Sequence, residues 1–153
     1  MDRTLYEKRL LRELKLFVKE PPQGMFVNAD QAEENLKIWI VNMKGVEGTL
    51  YDGEQFQLQF KFDTNYPFES PEVTFIGQNI PVHPHVYSNG HICLSILNTD
   101  WSPALTAQSV CLSIMSMLSS CKEKKKPVAD HLYVQLGKRS PKETMWFYHD
   151  DGV

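Results

Sequence analysis

One short segment of the chain holds most of the residues that could carry out chemistry. Residues 83–97 read HPHVYSNGHICLSIL and contain three of the five histidines and one of the three cysteines. A cysteine thiolate is a strong nucleophile, and a histidine can take up or release a proton near neutral pH. Cys93 follows the Asn89-Gly90 turn, which can present its thiol in a cleft.

The residues alone leave three interpretations of this segment open. In the first, Cys93 is a nucleophile, because a thiol on a loop is accessible to a substrate. In the second, the segment binds zinc. His83 and His85 lie two residues apart and share one face of an extended chain, and the same spacing joins His91 to the cysteine. In the third, the segment is a packed loop whose histidines hydrogen-bond backbone groups.

Two helices are predicted to position this segment. Thr4 and Glu7 have the spacing of a capping box, so a helix should begin there and end before Pro21-Pro22. Its apolar stripe consists of Leu10, Leu14, Phe17 and Val18. Its basic stripe consists of Lys8, Arg12, Lys15 and Lys19. Taken by itself, the basic stripe indicates a solvated helix face.

The second predicted helix is central to the fold. Its N-cap is expected near Thr106, and the lysine-rich run at residues 122–126 is expected to close it, because cations stabilise a helix C-terminus. Two cysteines, Cys111 and Cys121, fall at core-like positions. Its apolar face consists of Val110, Ile114, Met117, Leu118 and Cys121.

Between the two helices the periodicity is that of extended chain. Residues 38–41 are rich in β-formers, residues 56–62 alternate strictly between apolar and polar, and residues 73–76 form a third run. Short turns join these runs, which predicts an antiparallel meander and an α+β fold. The segment 127–153 is less periodic, contains Trp146 and Phe147, and could be a short helix, a docked tail or a flexible arm.

Composition excludes several classes of protein. A chain of 153 residues fits one domain, residues 1–153, and a net charge of −3 argues against a nucleic-acid binder. No apolar run approaches the roughly 18 residues that a membrane span needs. An odd number of cysteines without a C-x-x-C pair indicates reduced thiols, and hence the cytosol or the nucleus. No glycine-rich phosphate loop supports a nucleotide site.

The motifs of residues 66–105 resemble those of the ubiquitin-conjugating enzymes. That family carries an HPN tripeptide, then Gly-x-Ile-Cys-Leu, then Trp-Ser-Pro-Ala. This chain carries HPH at 83–85, GHICL at 90–94 and WSPAL at 101–105, and Tyr66-Pro-Phe68 with Ser70-Pro71 matches a further element. The resemblance covers about residues 4–125. It implies the family's UBC fold, a four-stranded antiparallel meander with an N-terminal and a central helix, and marks residues 127–153 as a divergent segment.

The resemblance implies roles for three groups of residues. Cys93 would accept ubiquitin as a thioester from an activating enzyme, with His85 and His83 as the other catalytic residues. The activating enzyme would dock on Lys8, Arg12 and Lys15. RING or U-box ligases would contact Pro67, Phe68, Ser102, Pro103 and Ala104. No metal or organic cofactor is implied, because the activating enzyme is the one that uses ATP.

Two departures from the family pattern indicate which amine receives ubiquitin. His85 stands in place of the asparagine of HPN, and Ser95 replaces an acidic residue two places after the cysteine. Histidine at that position is a feature of the W-type branch of the family, which acts on protein N-termini. We therefore expect one ubiquitin to be placed on the α-amino group of substrates with flexible N-termini. The alternative is a non-catalytic adaptor of the same fold that binds ubiquitin or a ligase.

Overall fold

Four antiparallel strands form one sheet in the order in which they follow one another along the chain. The computed structural model describes residues 3–137 and 140–146. The strands are β1 (Met25–Val27), β2 (Ile38–Lys44), β3 (Gln55–Lys61) and β4 (Glu72–Ile76). The helices are α1 (Leu5–Lys19), α2 (Ala29–Glu34), α3 (Ala107–Ser119) and α4 (Asp130–Leu136), with 3-10 turns at Ser95–Leu97 and Pro141–Glu143. The predicted α+β class and four-stranded meander are confirmed.

The register of the sheet follows from the alternation in β3. Every second side chain of β3 is buried, and each of these faces a buried side chain of β2, so one side of the sheet is apolar. The opposed buried pairs are Trp39 with Phe60, Val41 with Leu58 and Met43 with Phe56. Buried side chains of α1 and α3 join the same hydrophobic cluster.

Helix α1 begins at the predicted N-cap, Thr4, but the capping box is half formed. The Thr4 hydroxyl accepts the Glu7 N–H at 3.4 Å, whereas the Glu7 carboxylate accepts the hydroxyl proton of Thr4 at 2.8 Å instead of its amide. Val18, predicted in the apolar stripe, is half exposed. It lies about 100° around the helix from the buried Phe17, which turns it away from the core.

Helix α3 is capped at Thr106 as predicted, through reciprocal hydrogen bonds with Ser109. The expectation that residues 122–126 close the helix is wrong. The helix ends at Ser119, before the lysine-rich run, and its last turn contains no basic residue. The N–H of the C-cap Ser120 donates instead to the carbonyls of Ser116 and Leu118. Lys124 instead contacts the Glu54 carboxylate.

The segment after residue 126 is partly helical. It contains α4 and the 3-10 turn at Pro141–Glu143, and the Trp146 indole donates to the Pro141 carbonyl at 3.0 Å. Phe147 and the residues after it lie outside the described part of the chain. Within the described ranges, no helix combines the length and apolarity needed to cross a bilayer.

Candidate active site

A tight hairpin carries Cys93. The Cys93 N–H donates to the His85 carbonyl at 2.8 Å, and the Tyr87 N–H donates to the His91 carbonyl at 2.9 Å. Gly90 turns the chain with φ +92°, and a Cβ there would lie 2.0 Å from the Phe75 carbonyl oxygen on β4. Only glycine therefore fits at this turn, and the turn holds the hairpin against the edge of the sheet.

Cys93 is the accessible thiol of the three. Its side chain is half-buried in the loop, whereas Cys111 and Cys121 are buried, as the sequence predicts. Burial raises the pKa of the Cys111 thiol far above its ordinary value, which suppresses the reactive thiolate there.

His83 is buried beneath the hairpin and helps to position it. It is fully buried, its Nδ1 accepts the His85 N–H at 2.9 Å, and its Nε2 lies 3.1 Å from the Met117 carbonyl. Because Nδ1 accepts a hydrogen bond, Nε2 carries the proton and donates it to Met117. These contacts place His83 as a positioning residue: it fixes the His85 backbone, whose carbonyl in turn holds the N–H of Cys93.

His85 and Cys93 line one cleft of about 460 Å³. Two cations, Lys125 and Lys126, stand at this cleft, and no carboxylate occurs among its described lining residues. Ser95 lies two residues beyond the cysteine, in the 3-10 turn. Within the described residues, no three His, Cys, Asp or Glu side chains form a group that could hold a metal ion.

Three aromatic side chains form one side of the cleft. The rings of Tyr87 and Tyr133 stack with their centroids 3.8 Å apart, and the Trp146 ring lies 5.9 and 5.7 Å from them. The Tyr133 hydroxyl lies 2.7 Å from His91 Nδ1. Burial raises the pKa of both tyrosine hydroxyls, and a thiolate at Cys93 or the carboxylate of Asp130 would raise the pKa of Tyr87 further.

The segment after residue 126 thus lines the cleft, although sequence reasoning assigned no functional residue to it. Asp130 anchors the segment, because its carboxylate accepts both the N–H and the hydroxyl of Ser88 at 2.8 Å. The aromatic residues of this segment could have indicated in the sequence that it packs against the domain, because large side chains such as Tyr133 and Trp146 require a packing partner.

The cations assigned to the activating enzyme lie on one exposed face of α1. Lys8, Arg12 and Lys15 are all exposed, and their spacing of four and three residues places them side by side. The structure therefore forms the continuous basic surface that the sequence predicts.

The two loops assigned to ligases lie next to each other. Phe68 is 79% exposed, and the Trp101 indole donates to the Pro67 carbonyl at 2.8 Å, which joins the loops. The exposed residues of the second loop are Ser102, Pro103 and Ala104. An exposed apolar patch of this kind is typical of a protein-binding surface.

A buried carboxylate, Glu13, holds these loops to α1. Glu13 Oε2 accepts from Arg9 Nε at 2.7 Å and from the Tyr66 hydroxyl at 2.6 Å, while Oε1 accepts the N–H of Ala107 at 2.8 Å. Arg9 donates further to the Pro103 carbonyl at 2.9 Å. Sequence reasoning missed this network, because its members are far apart in the chain.

Comparison with known proteins identifies the family. The family model described as ubiquitin-conjugating enzyme matches residues 9–147. The chain is 59% identical over 145 residues to a Danio rerio protein named probable ubiquitin-conjugating enzyme E2 W-A, covering 95% of this chain and 96% of that protein. It is 56% identical over 146 residues to the Caenorhabditis elegans protein named ubiquitin-conjugating enzyme E2 W, with the same coverage.

Solved structures agree with the sequence relatives. The crystal structure of ubiquitin conjugating enzyme E2 UbcA1 from Agrocybe aegerita superposes with a TM-score of 0.85 at 40% identity and covers 92% of this chain and 100% of that chain. An E2 structure from Plasmodium falciparum gives a TM-score of 0.70 at 43% identity and covers 75% of this chain and 99% of its own. The UBC fold and the W-type resemblance are confirmed, and the enzyme interpretation is favoured over the adaptor. The chain belongs to the ubiquitin-conjugating enzyme family, with thioester-linked ubiquitin transfer as its activity and with ubiquitin, an activating enzyme and a ligase as its partners.

Proposed function

We propose that Cys93 carries the ubiquitin thioester and that the acceptor is the α-amino group at the N-terminus of a substrate protein. In the transfer step the amine nitrogen forms an amide bond to the terminal carbonyl carbon of ubiquitin. The C–S bond breaks, and the sulfur of Cys93 leaves as the thiolate, which regains a proton as the amine loses one. No metal or organic cofactor takes part in this step.

The observation that carries the proposal is the charge of the cleft. Two lysines and no carboxylate stand among the described residues that line it with Cys93. Positive surroundings disfavour an ammonium ion and favour a neutral amine. None of the described residues that line the cleft is a carboxylate that could attract a substrate lysine or accept its proton.

The intrinsic acidity of the two amines acts in the same direction. An α-amino group has a pKa of about 7.7–8.0 against about 10.4 for lysine, so its neutral fraction at pH 7 is larger by roughly a few hundredfold. Part of this advantage is offset, because the more basic lysine is the better nucleophile once it is deprotonated. A cleft that gives no help with deprotonation therefore favours the α-amine.

His85 supplies the one polar side chain of the HPH motif that reaches the cleft. A neutral imidazole donates a single hydrogen bond, so His85 can stabilise the oxyanion of the transition state in part, where the family's asparagine would do so. Its backbone N–H is held by His83, and its side chain lines the same cleft as Cys93.

Partners follow from the exposed surfaces. The basic face of α1 suits an acidic surface on an activating enzyme, and the joined loops around Phe68 and Ala104 suit the apolar groove of a RING or U-box ligase. We place this activity in the cytosol or the nucleus, where Cys93 stays reduced.

The test offers the purified, ubiquitin-charged enzyme two acceptors separately. One is lysine with its α-amine acetylated, and the other is a lysine-free peptide with a free N-terminus and a flexible sequence. The proposal predicts faster discharge to the peptide, a product carrying one ubiquitin, and no reaction with the same peptide after N-terminal acetylation. Equal or faster discharge to the blocked lysine would contradict it.

A further inference from the structure

The lysine-rich run at residues 122–126 is held in place by one of its own members. The Lys124 ammonium contacts the Glu54 carboxylate and lies 4.8 Å from the centre of the Tyr51 ring. The ion pair with Glu54 balances the charge of Lys124, and both contacts fix the chain immediately before Lys125 and Lys126. The next two lysines are therefore held at the cleft.

Lys125 and Lys126 are differently placed from Lys124. Both are exposed, both line the cleft with Cys93, and neither forms a salt bridge with a described residue. Asp130 follows them closely in the chain, and its carboxylate accepts the N–H and the hydroxyl of Ser88 and keeps its negative charge. Among the described residues at this side of the cleft, two lysines against one carboxylate still leave positive charge for a bound substrate.

We propose that Lys125 and Lys126 make the enzyme select substrate N-termini whose second and third residues are acidic. The inference rests on the proposed function, because it requires the amine at Cys93 to be an α-amine. An extended chain advances at most ~3.3–3.6 Å per residue, so the Cα atoms of residues 2 and 3 lie within about 7 Å of the Cα atom that carries the attacking amine. Residues 2 and 3 therefore follow the amine closely enough to approach the lysines that line the same cleft.

The two lysines would distinguish substrates by the charge of their second and third residues. Carboxylates at residues 2 and 3 of the substrate are attracted by Lys125 and Lys126, whereas arginines there are repelled by them. Uncharged amides at these positions are neither attracted nor repelled. Because the lysines are exposed, each pair adds little by itself and is screened by salt. The selection is therefore a modest, salt-dependent preference and not an absolute requirement.

The experiment uses the full chain, charged with ubiquitin and purified from the activating enzyme. Three lysine-free peptides share the first residue and differ at positions 2 and 3, which are aspartate, asparagine or arginine. We expect the aspartate peptide to discharge the enzyme about three- to tenfold faster than the asparagine peptide, within the range that two exposed charge pairs give. The arginine peptide is slowest, and the spread shrinks in about 0.5 M salt, where the Debye length is only a few Å.

Variants locate the effect. Lys125→Gln with Lys126→Gln is expected to equalise the three rates, and Lys125→Glu with Lys126→Glu is expected to reverse their order. The matched control, Lys61→Gln with Lys122→Gln, changes the net charge equally at exposed positions outside the cleft lining and keeps the preference.

Two outcomes overturn the inference alone. They are equal rates for the three peptides with the unmodified enzyme, and loss of the preference in the control to the same extent as in the cleft variant. Failure to discharge to any of the three peptides is a different result. It would overturn the proposed function and this inference with it.

Discussion

Replacing Tyr66 by phenylalanine tests whether the buried network around Glu13 holds α1 to the loops at residues 67–68 and 102–104. Tyr66 is 2% exposed, and its hydroxyl donates to Glu13 at 2.6 Å. The change removes this one hydrogen bond and keeps the ring, whose edge-to-face contact with Phe62 has a centroid separation of 4.7 Å. The apolar packing is therefore preserved.

The expected loss follows from the charge of the acceptor. A hydrogen bond to a charged group contributes about 1.5–3 kcal/mol to stability. Glu13 retains Arg9 and the N–H of Ala107 in the variant, so its carboxylate is not left unpaired. We therefore expect the free energy of unfolding to fall by about 2 kcal/mol, below the about 3–5 kcal/mol that follows when a buried charge loses its only partner.

Urea unfolding of the wild type and the variant measures this loss. Tyr6→Phe is the matched control, because the Tyr6 ring contacts Lys37 while its hydroxyl makes no hydrogen bond to a described residue. The control should cost less than about 0.5 kcal/mol. Equal costs for the two variants would refute the reasoning, as would additivity of Tyr66→Phe with Glu13→Gln in a double-mutant cycle, where contacting groups should couple by about 0.5–3 kcal/mol.

Three further predictions concern docking and pH. Glutamate in place of Lys8, Arg12 and Lys15, the cations proposed to dock the activating enzyme, should slow charging and weaken its dependence on salt. Unchanged charging at low salt would show that this stripe is only a solvated helix face. Ala104→Asp should abolish the ligase's stimulation of discharge while charging continues, because it places a charge in an apolar contact; loss of both would indicate misfolding. Burial raises the pKa of Tyr51, Tyr66, Tyr87 and Tyr133 above the unfolded value of about 10. Stability should therefore be full below about pH 10 and fall above it, as the unfolded chain loses phenolic protons first, and unfolding curves between about pH 8 and 11 measure this.

Local signals in the sequence were sufficient for the long elements. Caps at Thr4 and Thr106 and the alternation of residues 56–62 predict α1, α3 and β3 because each depends on residues close in the chain. Strand β1 and helix α2 have three and six residues, too few for a periodicity to show. They depend on pairing and packing with distant parts of the chain.

In the candidate site, too, the sequence predicts what depends on neighbouring residues and misses what depends on distant ones. Cys93 and His85 follow from a motif of contiguous residues, and the thiol is accessible as expected. The role of His83 requires the position of Met117, 34 residues away, and the aromatic side of the cleft requires Tyr133 to stack on Tyr87. Contacts over such separations arise from the fold and leave no pattern in a single sequence.

Locating the acyl group tests the account most directly. The wild type, Cys93→Ser and Cys93→Ala are incubated with activating enzyme, ATP and ubiquitin, and the products are separated with and without reductant. The account predicts a thiol-sensitive adduct for the wild type, a thiol-resistant oxyester or no adduct for Cys93→Ser, and none for Cys93→Ala. A thiol-sensitive adduct that persists in Cys93→Ala would contradict it, because another cysteine would then carry ubiquitin.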